Sequence, residues 1–219
     1  VNPQTIERNN LQIELSPYIE DQFNINDKTI FRPGLRILFL SDLNSLHIRP
    51  EPRFYISHKL SDYVTLMSSY VVTTQSIQLI SSSNIMSSAD LWIPAGGNIK
   101  PAISSMGEFG IYLNNGKSIT AEVNLYYKNM KDLYSYKDGA SFLLYPRWQD
   151  NITMATGKSY GAEFLIQAKL KKSFIMLAYT LSKTTRKSPE VNDGQEFNYK
   201  YDRPHNLNLT IGYKPSDKF

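Results

Sequence analysis

The stretch richest in reactive groups is Asp202-Arg203-Pro204-His205, where a carboxylate, a guanidinium and an imidazole fall within four positions. Aspartate and histidine can do acid–base work when a substrate proton lies within hydrogen-bond reach. Here the proline fixes the backbone at the entry to a strand-like run, which favours a structural role. Asp202 and Arg203 are expected to brace a loop base or neighbouring strands by charge-assisted hydrogen bonds. Other catalytic chemistry is sparse. His47, His58 and His205 stand apart, with no spacing that resembles a metal site. With no cysteine, a thiolate zinc site, a cysteine nucleophile and a disulfide scaffold are all excluded. Ala95-Gly96-Gly97-Asn98 is a loop, and Gly107-Glu108-Phe109-Gly110 lacks the helix that a phosphate loop feeds. Glu122 and Glu163 form a carboxylate pair only if their strands are adjacent and in register. No enzyme, metal or cofactor is expected from this set. What remains is recognition chemistry: Trp92, Tyr134, Tyr136, Trp148 and Arg186 lie in long polar connections. Such aromatic and arginine side chains suit binding contacts.

The elements that carry these residues follow a period of two. Ile119, Ala121, Val123, Leu125 and Tyr127 alternate with Thr120, Glu122, Asn124, Tyr126 and Lys128, as a strand with one apolar face requires. Tyr160 to Leu170 and Leu207 to Tyr213 repeat the pattern, with Leu165 as a lapse. Nine strands are predicted, at 10–23, 29–40, 49–60, 63–73, 105–114, 117–130, 158–171, 173–183 and 205–214. Several reach or exceed the roughly 9–11 residues with which a tilted strand crosses a bilayer. The connections between them alternate short and long, the long ones covering 74–104, 131–157 and 184–204. Short turns on one edge and long loops on the other are the habit of outer-membrane barrels. Asn115-Gly116 predicts a two-residue hairpin turn.

The faces point the same way. The apolar face is built of Leu, Ile, Val, Ala and Phe, as lipid contact allows. The opposite face carries Glu14, Glu20, Arg36, Arg53, Lys59, Glu122, Lys128, Glu163 and Lys169, suited to a hydrated lumen. Tyr112, Tyr126, Tyr127, Tyr160, Tyr179 and Tyr213 are expected to form aromatic girdles at the lipid headgroups. A mean hydropathy of −0.37 fits this reading, because alternation averages an apolar and a polar face. A net charge of +4, with scattered basic residues, gives little support for nucleic acid. The one basic run, Lys183-Thr184-Thr185-Arg186-Lys187, suits anionic sugar phosphates or simply a solvated loop. The opening Val1-Asn2-Pro3 and the close at Phe219 are expected of a portion of a longer protein.

Over residues 90–205 the sequence resembles TonB-dependent outer-membrane receptors, particularly the Bacteroidetes type. The resemblance rests on an ordered series. It begins with Asp90-Leu91-Trp92-Ile93-Pro94, Ile99-Lys100-Pro101 and Gly110. It continues with Ala121-Glu122-Val123-Asn124-Leu125-Tyr126-Tyr127-Lys128-Asn129-Met130-Lys131-Asp132-Leu133 and Ser159-Tyr160-Gly161-Ala162-Glu163. Tyr179-Thr180-Leu181-Ser182-Lys183 and Tyr201-Asp202-Arg203-Pro204-His205 complete it, and Glu51-Pro52-Arg53 and Gln75 fit upstream. The resemblance implies an all-β, antiparallel up-and-down transmembrane β-barrel of about 22 strands. This chain would be the C-terminal-half portion of that wall, one unit over 1–219, with the long loops outside. It also implies import of a scarce nutrient (siderophore, cobalamin, sugar or peptide). The implied partners are a plug domain, the TonB complex reached through that plug, outer-membrane lipid and lipopolysaccharide, and a small-molecule ligand. No plug, TonB-contacting segment or signal peptide is found within the chain, and nine strands alone would leave two unpaired edges. The alternative is a soluble β-rich module that binds glycan or protein.

Overall fold

A computed structural model describes residues 12–42, 45–80, 91–140 and 148–215. Its strands are β1 (Ile13–Leu15), β2 (Tyr18–Glu20), β3 (Phe23–Asn26), β4 (Thr29–Ser41), β5 (Leu46–Lys59), β6 (Val64–Gln75) and β7 (Ile77–Ile80). They continue with β8 (Leu91–Pro94), β9 (Ala102–Asn114), β10 (Ile119–Tyr136), β11 (Ile152–Lys169), β12 (Ser173–Lys187), β13 (Phe197–Asn198) and β14 (His205–Tyr213). Every pairing is antiparallel. The main sheet runs from β1, β2 and β3, all lying along β4, through β5, β6, β9, β10, β11 and β12 to β14, with β13 a short addition on β12. Where a turn of only a few residues joins two strands, as in β4–β5, β5–β6, β9–β10 and β11–β12, they pair directly, while β6–β9, β10–β11 and β12–β14 pair across long connections. The predicted strand at 10–23 is one interrupted edge strand, broken at Pro17 and at Asp21-Gln22.

Several boundaries move. β10 and β11 are 18 residues each, and both run past the predicted ends at 130 and 158. The register shifts between Met130 and Leu133, where Asp132 has φ 55°. This bulge inserts one extra residue on β10 and offsets the alternation, so a strict period of two ends there while the pairing goes on. The long connections shrink to 76–101, 137–151 and 188–204, and the first holds the β7–β8 hairpin. The connection at 42–45 is as short as those on the opposite edge, so the length alternation is looser than expected. Asn115-Gly116 sits within a four-residue connection instead of a two-residue turn. Asn115 Oδ1 accepts from the backbone N–H of Lys117, Ser118 and Ile119 at 3.0, 3.0 and 2.9 Å and holds it open.

Register fixes the faces, because directly paired residues lie on the same side of a sheet. One row reads Leu207, Tyr179, Phe164, Val123, Ile111 and Leu66 across six strands. The next reads Leu181, Ala162, Leu125, Phe109, Ser68, Ile56 and Phe31. Among the described residues no layer packs on this apolar face: Leu125, Phe164, Ile166, Leu207 and Leu209 are exposed. All nine charged side chains assigned to the opposite face lie there. The buried clusters sit instead at the long-loop edge. Ile80 and Ile93 of the hairpin pack on Tyr134 and Ile152, Ala95 covers Leu38 and Leu40, and Ala102 meets Leu133 and Ala155. The described core therefore fastens the loops to the strand ends.

The tyrosines expected at the girdles divide between the two faces. Tyr127 and Tyr160 are paired on the apolar face, with ring centroids 6.4 Å apart. Tyr112 and Tyr126 belong to the charged face, opposite Glu122 and Glu108 respectively. Adjacent tyrosines on a strand must point to opposite sides, so 126 and 127 cannot share a girdle.

Candidate functional site

Two polar constructions stand out, one on the charged face and one at the long-loop edge. On the charged face Glu51 is 1% exposed and lies directly opposite Arg36, whose Nε donates to its Oε2. Its other oxygen accepts the Thr74 backbone N–H at 2.6 Å, so one carboxylate ties β4, β5 and the end of β6. A row below, Arg53 reaches across β4 to Glu20 at 3.6 Å. Gly34 makes that crossing possible, since a Cβ there would stand 2.7 Å from Arg53 Cγ. Glu163 stands opposite Asn124, while Asn124 donates to Glu122 at 2.7 Å. Their strands are adjacent, but an amide is interposed and no acid–base pair forms.

The long-loop edge holds a cavity of about 490 Å³ lined by Tyr134, Tyr136, Lys137, Arg186, Tyr199 and Lys200 among others. Arg186 is its centre. The guanidinium lies 3.7 Å from the centroid of the Tyr199 ring, and its Nη1 donates to the Tyr134 carbonyl at 3.5 Å and to Ser135 Oγ at 3.4 Å. Burial pulls its pKa below the usual value, partly countered by Tyr199, yet an arginine of this kind stays charged. The Tyr134 hydroxyl accepts from the Lys100 N–H at 3.0 Å and donates toward the Asn98 carbonyl at 3.4 Å. Burial pushes this phenol up. The walls are tied together: Lys137 pairs with Glu190 at 3.0 Å, and the Asn192 N–H donates to Asp138 at 2.7 Å. A fixed cation above an aromatic ring, with further lysines at the rim, can hold an anionic or planar group.

Of the predicted contacts, Tyr134, Tyr136 and Arg186 come together here. Trp92 stands on the hairpin, 63% exposed, away from the cavity lining. Trp148 opens a 3-10 turn, and its side chain lies outside the described residues. Lys137, Tyr199 and Lys200 were not singled out by sequence reasoning. The aromatic-basic run Tyr199-Lys200-Tyr201 was the signal that could have found them. At the cluster read first, Asp202 Oδ1 accepts the Thr184 backbone N–H at 2.7 Å. Arg203 contributes its carbonyl, which accepts from Ser182 Oγ at 3.2 Å, and its side chain is exposed. His205 Nδ1 lies 2.8 Å from the Tyr179 hydroxyl. Pro204 continues the brace, its carbonyl accepting the Ser182 N–H at 3.0 Å. Among the described residues, no three or more His, Asp or Glu gather as a metal site would need.

An antiparallel sheet with one apolar and one charged face, and no layer on the apolar face among the described residues, has the form expected of a barrel wall. The sequence model of the TonB dependent receptor-like β-barrel matches residues 1–219, and the chain belongs to that family, which places it in the bacterial outer membrane. The fold is similar to that of the ferripyoverdine receptor of Pseudomonas aeruginosa, with TM-score 0.65 and 15% identity, over 94% of this chain and 26% of that one. It is similar to the FrpB iron transporter of Neisseria meningitidis, with TM-score 0.68 and 13% identity, over 96% and 32%. The ferric-catecholate import receptor Fiu of Escherichia coli K12 gives TM-score 0.65 and 13% identity, over 95% and 33%. The chain thus spans about a quarter to a third of the structures it matches. No curated protein matches by sequence.

Proposed function

We propose that the chain is a C-terminal-half portion of the barrel of a receptor, of the Bacteroidetes type, that imports a scarce nutrient by active transport. The whole wall would close at about 22 strands around a plug domain. Its remaining strands would cover the two open edges at β1–β3 and β14. The observation that carries this reading is the division of faces: mainly apolar rows run across the strands, broken at Ser68 and ending at His58 and Thr29, and all nine predicted lumen charges lie opposite them. A soluble binding module would pack that apolar face on a second sheet, and among the described residues none covers it.

In this reading the loops at 74–104, 131–157 and 184–204 lie outside the cell. The cavity around Arg186 belongs to the ligand-capturing surface, and rearrangement of the plug, driven through TonB, opens the path. Siderophores are the ligands best supported, since matched structures are of a receptor bound to ferripyoverdine and of a ferric-catecholate import receptor. Cobalamin, sugars and peptides are the other classes. The test is fractionation of the full-length receptor, followed by uptake of radiolabelled iron chelate in cells lacking other receptors. Heat-modifiable migration in the outer-membrane fraction and uptake abolished by loss of TonB are expected. Recovery in the soluble periplasm without detergent would end the reading.

A further inference from the structure

Among the described residues nothing neutralises the charge of Arg186. No carboxylate pairs with it, and its two hydrogen bonds are long and go to neutral acceptors, the Tyr134 carbonyl and Ser135 Oγ. Both come from Nη1, so Nε and Nη2 have no acceptor there. Three acidic side chains of the adjoining loops are engaged elsewhere. Glu190 pairs with Lys137 at 3.0 Å, Glu196 with Lys158 at 3.8 Å, and Asp138 accepts the Asn192 N–H at 2.7 Å. Tyr199 covers one flat side of the guanidinium, its ring centroid 3.7 Å from Cζ, which leaves the N–H edge to a partner. Phe197 stands directly opposite Arg186 in the register, and with Ile80, Tyr136 and Val191 it gives the cavity an apolar side.

An unpaired charge in a partly enclosed cavity is costly, and an anion that enters recovers that cost. The planar fork of a guanidinium matches a carboxylate, which accepts two parallel N–H bonds along one edge. A dianionic phosphate calls for a second uncompensated cation, and the lining supplies none: Lys137 is paired with Glu190, and Lys200 is drawn onto the Tyr201 ring at 4.8 Å. A neutral sugar would leave the charge as it is. The volume of about 490 Å³ is in the range that buries a drug-sized molecule, or one arm of a larger one. We infer that this cavity holds its ligand by a free carboxylate on an aromatic or apolar body, with the carboxylate forked on Arg186 and the body against Val191 and Phe197. Tyr199 is a positioning residue, which fixes the plane of the guanidinium. The inference rests on the reading of the cavity as part of the ligand-capturing surface, and it narrows the ligand classes given there.

The test uses the full-length receptor in non-ionic detergent and fluorine NMR of two matched probes, para-trifluoromethylbenzoate and para-trifluoromethylbenzamide. The carboxylate should bind at least about tenfold more tightly than the uncharged amide. Arg186→Gln should weaken the benzoate by about tenfold or more and leave the amide where it was. Arg186→Lys should restore only part of that loss, because an ammonium lacks the fork. Tyr199→Phe should keep benzoate binding and Tyr199→Leu should weaken it several-fold, since the ring face, not the hydroxyl, holds the guanidinium. Equal binding of the two probes, no benzoate binding by the wild type, or unchanged benzoate binding in Arg186→Gln overturns the inference. So does tighter binding of para-trifluoromethylphenyl phosphate, since that assigns the cavity to phosphate. If Arg186→Gln does not assemble, Arg186→Lys is read against the same pair and must itself lower benzoate binding alone. Failure of the ligand-capturing reading looks different: uptake of the radiolabelled chelate would persist in Arg186→Gln cells although the variant has lost the benzoate.

Discussion

Glu51 shows how single residues hold this wall. A carboxylate that is 1% exposed is tolerable only because both oxygens are used, by Arg36 and by the Thr74 N–H. Glu51→Ala would leave a guanidinium and a backbone donor without their acceptor. Arg36 is partly exposed and can recruit water, so the expected cost is about 2–3 kcal/mol, below that of a fully buried broken pair. Urea unfolding of the detergent-solubilised receptor, read by tryptophan fluorescence, measures it. Arg36→Ala should cost more, about 3–5 kcal/mol, because it strands the buried carboxylate, and the double variant should recover part of that loss. Asp202 acts on a smaller scale. Its hydrogen bond to the Thr184 N–H is charge-assisted, and Asp202→Ala should weaken the base of the last loop by about 1–2 kcal/mol. Amide hydrogen exchange at Thr184 should speed up in that variant while the centre of β12 stays protected. Equal protection at Thr184 in both proteins would mean that the brace contributes nothing.

At the scale of elements, alternation made the strands readable and the bulge hid their ends. Ile119 to Lys128 gives both faces of β10 at once, because lipid and lumen demand opposite residue types at successive positions. Beyond Met130 neither solvent makes that demand, and Asp132 with φ 55° offsets the pattern. The alternation of β10 therefore ends at 130, while pairing continues to Tyr136 opposite Ile152. The cavity was half legible for a related reason. Tyr134, Tyr136 and Arg186 were chosen by side-chain type, but what joins them to Tyr199 and Lys200 is loop geometry such as the Asp138–Asn192 bond, which no periodicity announces. The bulge itself can be tested. Aspartate accepts the left-handed region and glycine does so freely, whereas a β-branched residue does not. Asp132→Gly should be nearly neutral, and Asp132→Val should cost about 1–2 kcal/mol. If instead both substitutions are neutral in urea unfolding, the positive φ at 132 is not a constraint on the fold.

For the whole molecule, the decisive property is that the two faces of one sheet meet different solvents. Among the described residues the buried core is confined to the loop edge, and in the proposed reading lipid covers the bare apolar rows. This makes a sharp comparison possible within one pair of neighbours. Phe164 lies in the middle of the apolar rows, between Val123 and Tyr179. Thr180 lies on the other face, between Glu163 and Asn206, and is half-buried beside those two exposed residues. An arginine on the lipid side near mid-depth costs about 2–4 kcal/mol, while lumen positions accept charge. Phe164→Arg should therefore lower the unfolding free energy in lipid vesicles by that amount and slow assembly. Thr180→Arg, next to the Glu163 carboxylate, should change it by less than about 1 kcal/mol. A soluble module would give a different result, because Phe164→Arg would then break a sheet-to-sheet core or add a harmless surface charge, with no dependence on bilayer thickness. Repeating the measurement in thinner bilayers separates these outcomes. The cost at 164 should fall as the headgroups come closer to the substituted position, and the cost at 180 should stay where it was.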